Sequence, residues 1–348
     1  MSHNMRYPQP LQAGGRIAVN APSSGITVDW KAYLEQARRN VEAAGYDVQI
    51  SDTVWSNVQL TSASKEVRAE EMQRFLLDPN IQAVVPVWGG EFLFEILPLL
   101  DWERLKAADP KWVLGYSDLT TFCFVHTLLT GQATAHGNNF FDLGTTPWDA
   151  LTRRWTDVLA TPEGGQVRQM SSERYQKHWS RKQPSDPFAL TEETAWKLLG
   201  REQQTQAEVE FSGRLLGGCW EILRSLVGTR YAPVQQFVRD YCREEGVIWY
   251  LESSEINAAE MYRSLWQMKD AGWFEGATGF LIGRARGNVD VSDFHYQDAL
   301  HRALDDLQVP VIYEADVGHL PPQMILVNGA VARVSYQNGK GTLVMEYR

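Results

Sequence analysis

Three cysteines in 348 residues, Cys123, Cys219 and Cys242, are too few and too scattered for a disulfide framework, and no CxxC pair is present. The seven histidines contain no HExxH pair, so no metal site can be argued from spacing. No GxGxxG fingerprint follows the first strand, which disfavours a nicotinamide enzyme, and no cofactor is expected. No apolar run approaches a membrane span, and residues 1–15 lack the apolar core of a signal peptide, so the expected setting is the cytoplasm, with no membrane partner. Positive charge is also in deficit. With 33 Lys and Arg against 43 Asp and Glu, the net charge is −10 and the pI about 5.3. A general nucleic-acid binder is excluded on that balance, whereas a local basic pocket is compatible with it. Repeats and low-complexity tracts are absent.

What is present is an ordinary globular composition, 44% hydrophobic and 22% charged, at a length that suggests about two domains. Thirteen tryptophans are many; packing accounts for most such residues, and one or more could line a site. The first half alternates strand and helix signals. Arg16 to Asn20 reads as a strand, Leu34 to Ala44 as one helical face closed by Gly45, and Lys65 to Leu77 as a second helix stopped at Asp78-Pro79. Ala83 to Val87 is an apolar strand running into Trp88-Gly89-Gly90, Glu91 to Leu100 is helical, and Trp112 to Leu114 is a further strand. Apolar strands separated by helices predict a parallel sheet covered on both faces, with sites beyond the carboxyl ends of its strands. From about 145 to 210 the periodicity breaks, and that stretch reads as a linker or functional loop. Patterning resumes at Phe211, with strands at 247–251, 279–282 and 309–313, helices at 258–271 and 292–307, and a closing hairpin turned at Asn338-Gly339. The expected architecture is α/β. A Rossmann-like amino-terminal domain (1–145) and a smaller α/β carboxyl-terminal domain (211–348) are joined by 146–210, with the active site between them.

The most informative stretch is Val113-Leu114-Gly115-Tyr116-Ser117-Asp118-Leu119-Thr120, which reads as strand, tight turn and helix with a serine hydroxyl held up at the turn. A serine becomes a nucleophile only beside a base and a site for the developing oxyanion, and this placement suits both. The stretch is like the Gly-x-Ser-x-Gly elbow except that Leu119 replaces the last glycine; a helix-capping serine is the plainer interpretation. His319, in Gly318-His319-Leu320-Pro321-Pro322 after a strand, is the candidate base. Glu252, at the end of the apolar run 246–251, is the candidate orienting acid, with Glu255 as its competitor. An α/β-hydrolase shares the order Ser, acid, His but keeps the glycine at 119. A non-catalytic ligand-binding protein on a doubly wound fold is the rival from another class.

Taken together these blocks resemble the LD-carboxypeptidases, a family that includes the microcin C self-immunity peptidases. The resemblance runs through Leu11 to Val19 with Ala21-Pro22-Ser23, Ser62 to Gly90 with Arg68, Gly115 to Asp118, Gly213 to Gly218, Leu251-Glu252 and Gly318-His319. It implies a serine peptidase with a Ser117, Glu252, His319 triad and an oxyanion hole of backbone N–H groups at Gly90 and Asp118. It also implies a homodimer and a small substrate, either a murein peptide with an L,D bond or an aminoacyl-nucleotide amide. Trp179 would stack on a nucleobase in the second case. Two positions depart from the family pattern. Cys219 stands in place of asparagine and Ser253 in place of aspartate, and neither is expected to touch a catalytic group.

Overall fold

The computed structural model describes residues 4–178, 181–201, 207–286 and 290–348. The first half forms a parallel sheet of four strands, β1 (Arg16–Val19), β2 (Asp47–Ile50), β3 (Ile81–Val84) and β4 (Trp112–Val113), in the order β2-β1-β3-β4. Its connections are α1 (Lys31–Ala43), α2 (Lys65–Leu77) and α3 (Trp102–Ala107). Ser64 caps α2 by accepting from the Val67 N–H, and Asp101 caps α3 by accepting from the Arg104 N–H. The stretch expected as a helix at 91–100 is a 3-10 helix, Leu93–Leu99, because Pro98 lies inside it and cannot donate an α-helical bond.

After β4 the chain turns into α4 (Leu119–Thr130), a helix buried along nearly its whole length. Each fully buried Leu or Phe there contributes about 1.5–3 kcal/mol, so α4 is anchored by packing and its first turn is a rigid platform. Strand β5 (Thr134–His136) follows and pairs antiparallel with the much later strand β14 (Leu326–Asn328), joining the two halves of the chain.

The second sheet has eight strands in the order β6-β16-β15-β10-β11-β12-β13-β9. Strands β10 (Glu208–Cys219), β11 (Val247–Glu252), β12 (Ala277–Gly283) and β13 (Val311–Ala315) run parallel in its centre. They are connected by helices α6 (Trp220–Leu226), α7 (Val234–Tyr241), α8 (Ala258–Asp270) and α9 (Tyr296–Leu304). The hairpin β15 (Val331–Gln337) and β16 (Lys340–Glu346) closes one side, turned at Asn338 and Gly339 with φ of 50° and 84°, the left-handed pair that a two-residue hairpin requires.

The stretch 146–210, expected as a linker or functional loop, carries secondary structure of its own. It contributes α5 (Arg154–Ala160), the strand β6 (Gln166–Met170) and the strand β9 (Lys197–Leu198), the last two at opposite edges of the large sheet. A small ribbon of β7 (Arg174–Tyr175) with β8 (Glu192–Glu193) lies between them. Edge strands bury one face only, so alternation replaces a continuous apolar run, as the pattern of buried Val167 and Gln169 against exposed neighbours shows. Trp112, Trp155, Trp196, Trp220 and Trp249 are fully buried core residues. No helix among the described residues is long and apolar enough to cross a membrane.

Candidate active site

Ser117 sits on the turn between β4 and α4 with φ of 62°, a left-handed conformation that a non-glycine residue adopts only where its surroundings hold it. The restraints are local. The Tyr116 N–H donates to Asn139 Oδ1 at 3.1 Å, and the Thr120 N–H donates to the Ser117 carbonyl at 2.9 Å. Gly115 passes so close to Leu119 that a Cβ there would lie 2.9 Å from Leu119 Cγ. The first glycine of the motif is therefore needed, and Leu119 fills the core where the motif's last glycine would stand. The Ser117 hydroxyl has no hydrogen-bond partner among the described residues.

Two further loops close around the elbow. Asp118 is buried, and its carboxylate accepts from Ser23 Oγ at 2.5 Å, the Leu93 N–H at 2.9 Å and Thr121 Oγ1 at 3.2 Å. It thereby ties the loop after β1 and the loop after β3 to the first turn of α4. Burial raises its pKa above the usual carboxylate range despite these donors. Buried Arg68 braces the same two loops, donating to the carbonyls of Pro22 at 3.0 Å and Phe92 at 3.1 Å. A Cβ on Gly89 would lie 3.0 Å from both Ser117 Oγ and the Asp118 nitrogen, so this glycine keeps open the volume beside them. The Gly89 carbonyl accepts from the Ser24 N–H at 3.3 Å. Because N–H and C=O of a trans peptide point opposite ways, the Gly90 N–H is turned away from that loop.

Glu252 ends β11 fully buried, and its Oε2 accepts from His319 Nδ1 at 2.7 Å. Glu255 is exposed three residues later and makes no such contact. Burial alone would push Glu252 upward, but the His319 charge and hydrogen bond outweigh it and hold the carboxyl below its ordinary value. For His319, burial works downward, and the charge and hydrogen bond of Glu252 reverse it to a raised pKa. The His319 ring packs edge-on to the Tyr116 ring with centroids 4.8 Å apart, which sets it beside the elbow. Gly318, at φ of 95°, lies against Glu252 with no room for a Cβ.

The loop carrying His319 is clamped from behind. Arg284 and Asp316 form a buried ion pair at 2.8 Å, and the second Arg284 nitrogen donates to the carbonyls of Leu320 and Pro322, both at 3.0 Å. Asp316 also accepts from Ser172 Oγ at 2.5 Å and Trp196 Nε1 at 2.8 Å, and the Gln176 N–H donates to the Pro321 carbonyl at 2.8 Å. All three of these latter partners come from 146–210, so that segment braces the His319 loop. Beside Glu252, Glu221 Oε1 accepts from the N–H groups of Ser254 at 2.8 Å, Glu255 at 2.6 Å and Ile256 at 3.2 Å, fixing the turn after it.

Cys219 corrects an expectation. It lies directly across from Glu252 in the β10–β11 register, its thiol donates to Glu221 Oε2 at 3.1 Å, and it is one of the groups that lower the Glu252 pKa. Sequence reasoning also passed over His136, Arg284, Asp316 and Glu221. Only His136, at the tail of a short strand, carried a signal that could have been read. Trp179 lies outside the described residues.

Two cavities flank the elbow. One of about 170 Å³ adjoins Tyr116 and His319 and is lined by Lys177, His178 and Arg286 together with Asn138, Asp142 and Gln323. The other, about 790 Å³, adjoins Asp118 and carries Glu91, Glu221, Glu255 and Glu260, with Arg224 as the one basic residue among its described lining residues.

A strand-end serine, a buried carboxylate–imidazole pair and an open glycine cradle are the parts of a serine hydrolase site. Comparison with known proteins gives the class. The LD-carboxypeptidase N-terminal domain matches residues 17–137 and the LD-carboxypeptidase C-terminal domain matches residues 212–334. The chain belongs to this family and is a serine peptidase. It is 32% identical over 142 residues to the murein tetrapeptide carboxypeptidase of Pseudomonas aeruginosa, covering 41% of this chain and 44% of that one. It is 21% identical over 345 residues to the microcin C7 self-immunity protein MccF of Escherichia coli, covering 97% and 95%. A structure of MccF in complex with aspartyl sulfamoyl adenosine matches with a TM-score of 0.81 at 20% identity over 98% of each chain. An MccF-like protein from Bacillus anthracis gives a TM-score of 0.82 at 21% identity, covering 98% and 99%. The fold is that of the MccF-like proteins.

Proposed function

We propose that Ser117, His319 and Glu252 form the catalytic triad of a carboxypeptidase that releases a terminal amino acid from an L,D-peptide bond of murein peptides. The observation that carries this reading is the 2.7 Å bond between His319 Nδ1 and fully buried Glu252, set beside a serine held at positive φ. Neutral His319 takes the Ser117 proton through Nε2 as the oxygen attacks the scissile carbonyl. Glu252 holds the Nδ1–H tautomer and stabilises the imidazolium. The N–H groups of Gly90 and Asp118 receive the oxyanion in the space Gly89 leaves open. His319 then protonates the leaving amine, and water hydrolyses the acyl-enzyme by the same relay.

Because the base delivers its proton to the leaving group, the leaving amino acid belongs on the His319 side and the acyl portion on the Asp118 side. The His319-side cavity, with Lys177, His178 and Arg286, suits a leaving group that ends in a carboxylate. The acid-rich cavity disfavours an aspartyl acyl group, which would meet Glu91, Glu221 and Glu255. This charge distribution supports the murein reading over the microcin type, in which the cleaved amide joins an aspartyl group to a nucleotide and Trp179 stacks on the base. Association as a homodimer accompanies either reading.

The two readings separate by substrate. The protein is expected to release the terminal D-amino acid from a murein tetrapeptide, followed by chromatography of the products, and to leave an aspartyl-nucleotide amide intact. Cleavage of the nucleotide amide alone would transfer the proposal to the microcin type. A second expectation concerns the carboxylate. Replacing both Lys177 and Arg286 by Ala is expected to raise KM for the free-acid tetrapeptide about threefold to tenfold, the scale of one partly solvated charge-assisted contact. The same peptide with a terminal carboxamide should respond little to the double substitution. Equal effects on both peptides would remove these cations from substrate recognition.

A further inference from the structure

His136 ends β5 in the register that links the two halves of the chain, opposite Leu326 of β14. Its ring is 1% exposed, and its Nε2 has no hydrogen-bond partner among the described residues. Facing it at 4.0 Å is Glu252 Oε1, the carboxylate oxygen that His319 does not use, equally buried and equally without a partner among the described residues. A buried donor and a buried acceptor each carry a desolvation penalty when unpaired. Two such atoms left facing each other, about one ångström farther apart than an ordinary hydrogen bond, mark a contact that a small closure of the site completes. The neighbouring rings fix the direction. Tyr250 packs on His136 with centroids 5.3 Å apart and Tyr116 at 6.4 Å, so the imidazole has little freedom except toward the carboxylate.

We propose that His136 is a positioning residue for the catalytic carboxylate, donating its Nε2–H to Glu252 Oε1 so that Glu252 is held by one imidazole on each oxygen. The inference rests on the triad reading of Ser117, His319 and Glu252. It assigns the two histidines different work. His319 faces the elbow and cycles between neutral and charged forms. His136 is a fixed dipole, since burial depresses its pKa to about 4, against the opposing pull of Glu252, and it stays neutral where a histidine base operates. The other groups facing this pair are Tyr116 from the elbow, Cys219 from the end of β10, Glu221 from α6, Tyr250 from β11, Asp142 and Arg286. Of these, the Cys219 thiol also acts on the Glu252 carboxylate, its hydrogen bond helping to lower that pKa, while no donor among the described residues stands within bonding range of Oε1. A donor on Oε1 draws negative charge from the carboxylate and moderates its hold on the His319 proton. Without it, Glu252 binds that proton more tightly, and His319 becomes a base at higher pH.

Substitutions that differ in where they place an N–H test this. His136→Gln puts an amide N–H where Nε2 stood, His136→Asn puts it where Nδ1 stood, and His136→Leu provides none. The kcat/KM of each is measured against pH on the murein tetrapeptide, and thermal melting verifies folding. The Gln variant should keep the wild-type profile. The Asn and Leu variants should lose about tenfold to hundredfold in kcat, the scale of a lost hydrogen bond to a charge, with the alkaline-rising limb displaced to higher pH. Should Leu fail to fold, the comparison of Gln with Asn decides. Identical limbs in Gln and Asn, or a rate loss with no displacement of the limb, would overturn the positioning role. A fluorophosphonate probe followed by peptide mass spectrometry reads the triad separately. Labelling of Ser117 in wild type with indifferent His136 variants rejects only this inference, whereas failure to label Ser117 rejects the triad and this inference with it.

Discussion

Ser117→Ala is expected to reduce kcat by about 10⁴-fold or more, since removal of the nucleophile costs up to about 10⁶-fold in serine proteases and the residual rate comes from binding and the oxyanion site. The substitution deletes one hydroxyl that has no hydrogen-bond partner among the described residues and leaves the backbone restraints from Asn139 and Leu119 in place. Stability should therefore change by no more than about 0.5 kcal/mol, as at sites away from the core. The measurement is turnover of the murein tetrapeptide together with a melting curve. A folded alanine variant that retains wild-type turnover would eliminate Ser117 as nucleophile and leave the elbow as a structural turn.

Glu252→Gln should be nearly as severe, about 10⁴-fold in kcat, because an amide in place of the acid no longer enforces the productive imidazole tautomer. It carries a second signature in pH. The base is active only when neutral, so kcat/KM rises with pH through the His319 pKa. In the wild type that pKa is raised above 6.5 by the Glu252 charge and hydrogen bond, against the downward effect of burial. With glutamine at 252 that charge and hydrogen bond are gone, burial, the largest influence, prevails over the opposed charges of Glu221 and Arg286, and the limb should move below 6.5. The displacement is opposite to the one expected for His136→Leu, so the two variants distinguish loss of the charge from loss of the donor that moderates it. The same pair contributes to stability. The lowered Glu252 is stabilising above its unfolded value of 4.5 and loses this as pH falls through its folded value. The raised His319 is stabilising below 6.5 and loses this as pH rises through its folded value. Both contributions are present between 4.5 and 6.5, and Glu252→Gln should flatten the melting temperature most in that window. A limb unmoved by the substitution would separate Glu252 from His319 function.

Local patterns made much of this chain legible. The helix Lys65–Leu77 and the hairpin turn at Asn338-Gly339 follow from a capping serine, an Asp-Pro stop and an Asn-Gly pair, all of which act within a few residues. The strand–turn–helix around Ser117 is legible for the same reason, because a positive φ, a close glycine and an apolar helix start are written in eight consecutive residues. Glu252 and His319 are visible as strand-end residues, and the end of an apolar run favours Glu252 over Glu255, but only the fold shows that its carboxylate meets an imidazole 67 residues away. The 146–210 stretch, expected as a linker or functional loop, holds short strands that no periodicity announced. Its strands lie at sheet edges and pair with residues far along the chain, so periodicity, a property of one face of one segment, carries no record of them.

The amino-acid sequence by itself determined the parallel amino-terminal sheet, the elbow that lifts Ser117, and the absence of any spacing suited to disulfides or metal. These depend on hydrogen bonds and steric limits between near neighbours, which residue order expresses directly. Only the tertiary structure decided how the elbow is held and how the acid is served. Asp118 and Arg68 bind loops from three parts of the first half, Ser172 and Trp196 brace the His319 loop through Asp316, and His136 stands 4.0 Å from Glu252 on a strand 116 residues earlier. Buried polar groups must find partners wherever the fold brings donors and acceptors together, and that meeting is set by packing of the two sheets, not by distance along the chain.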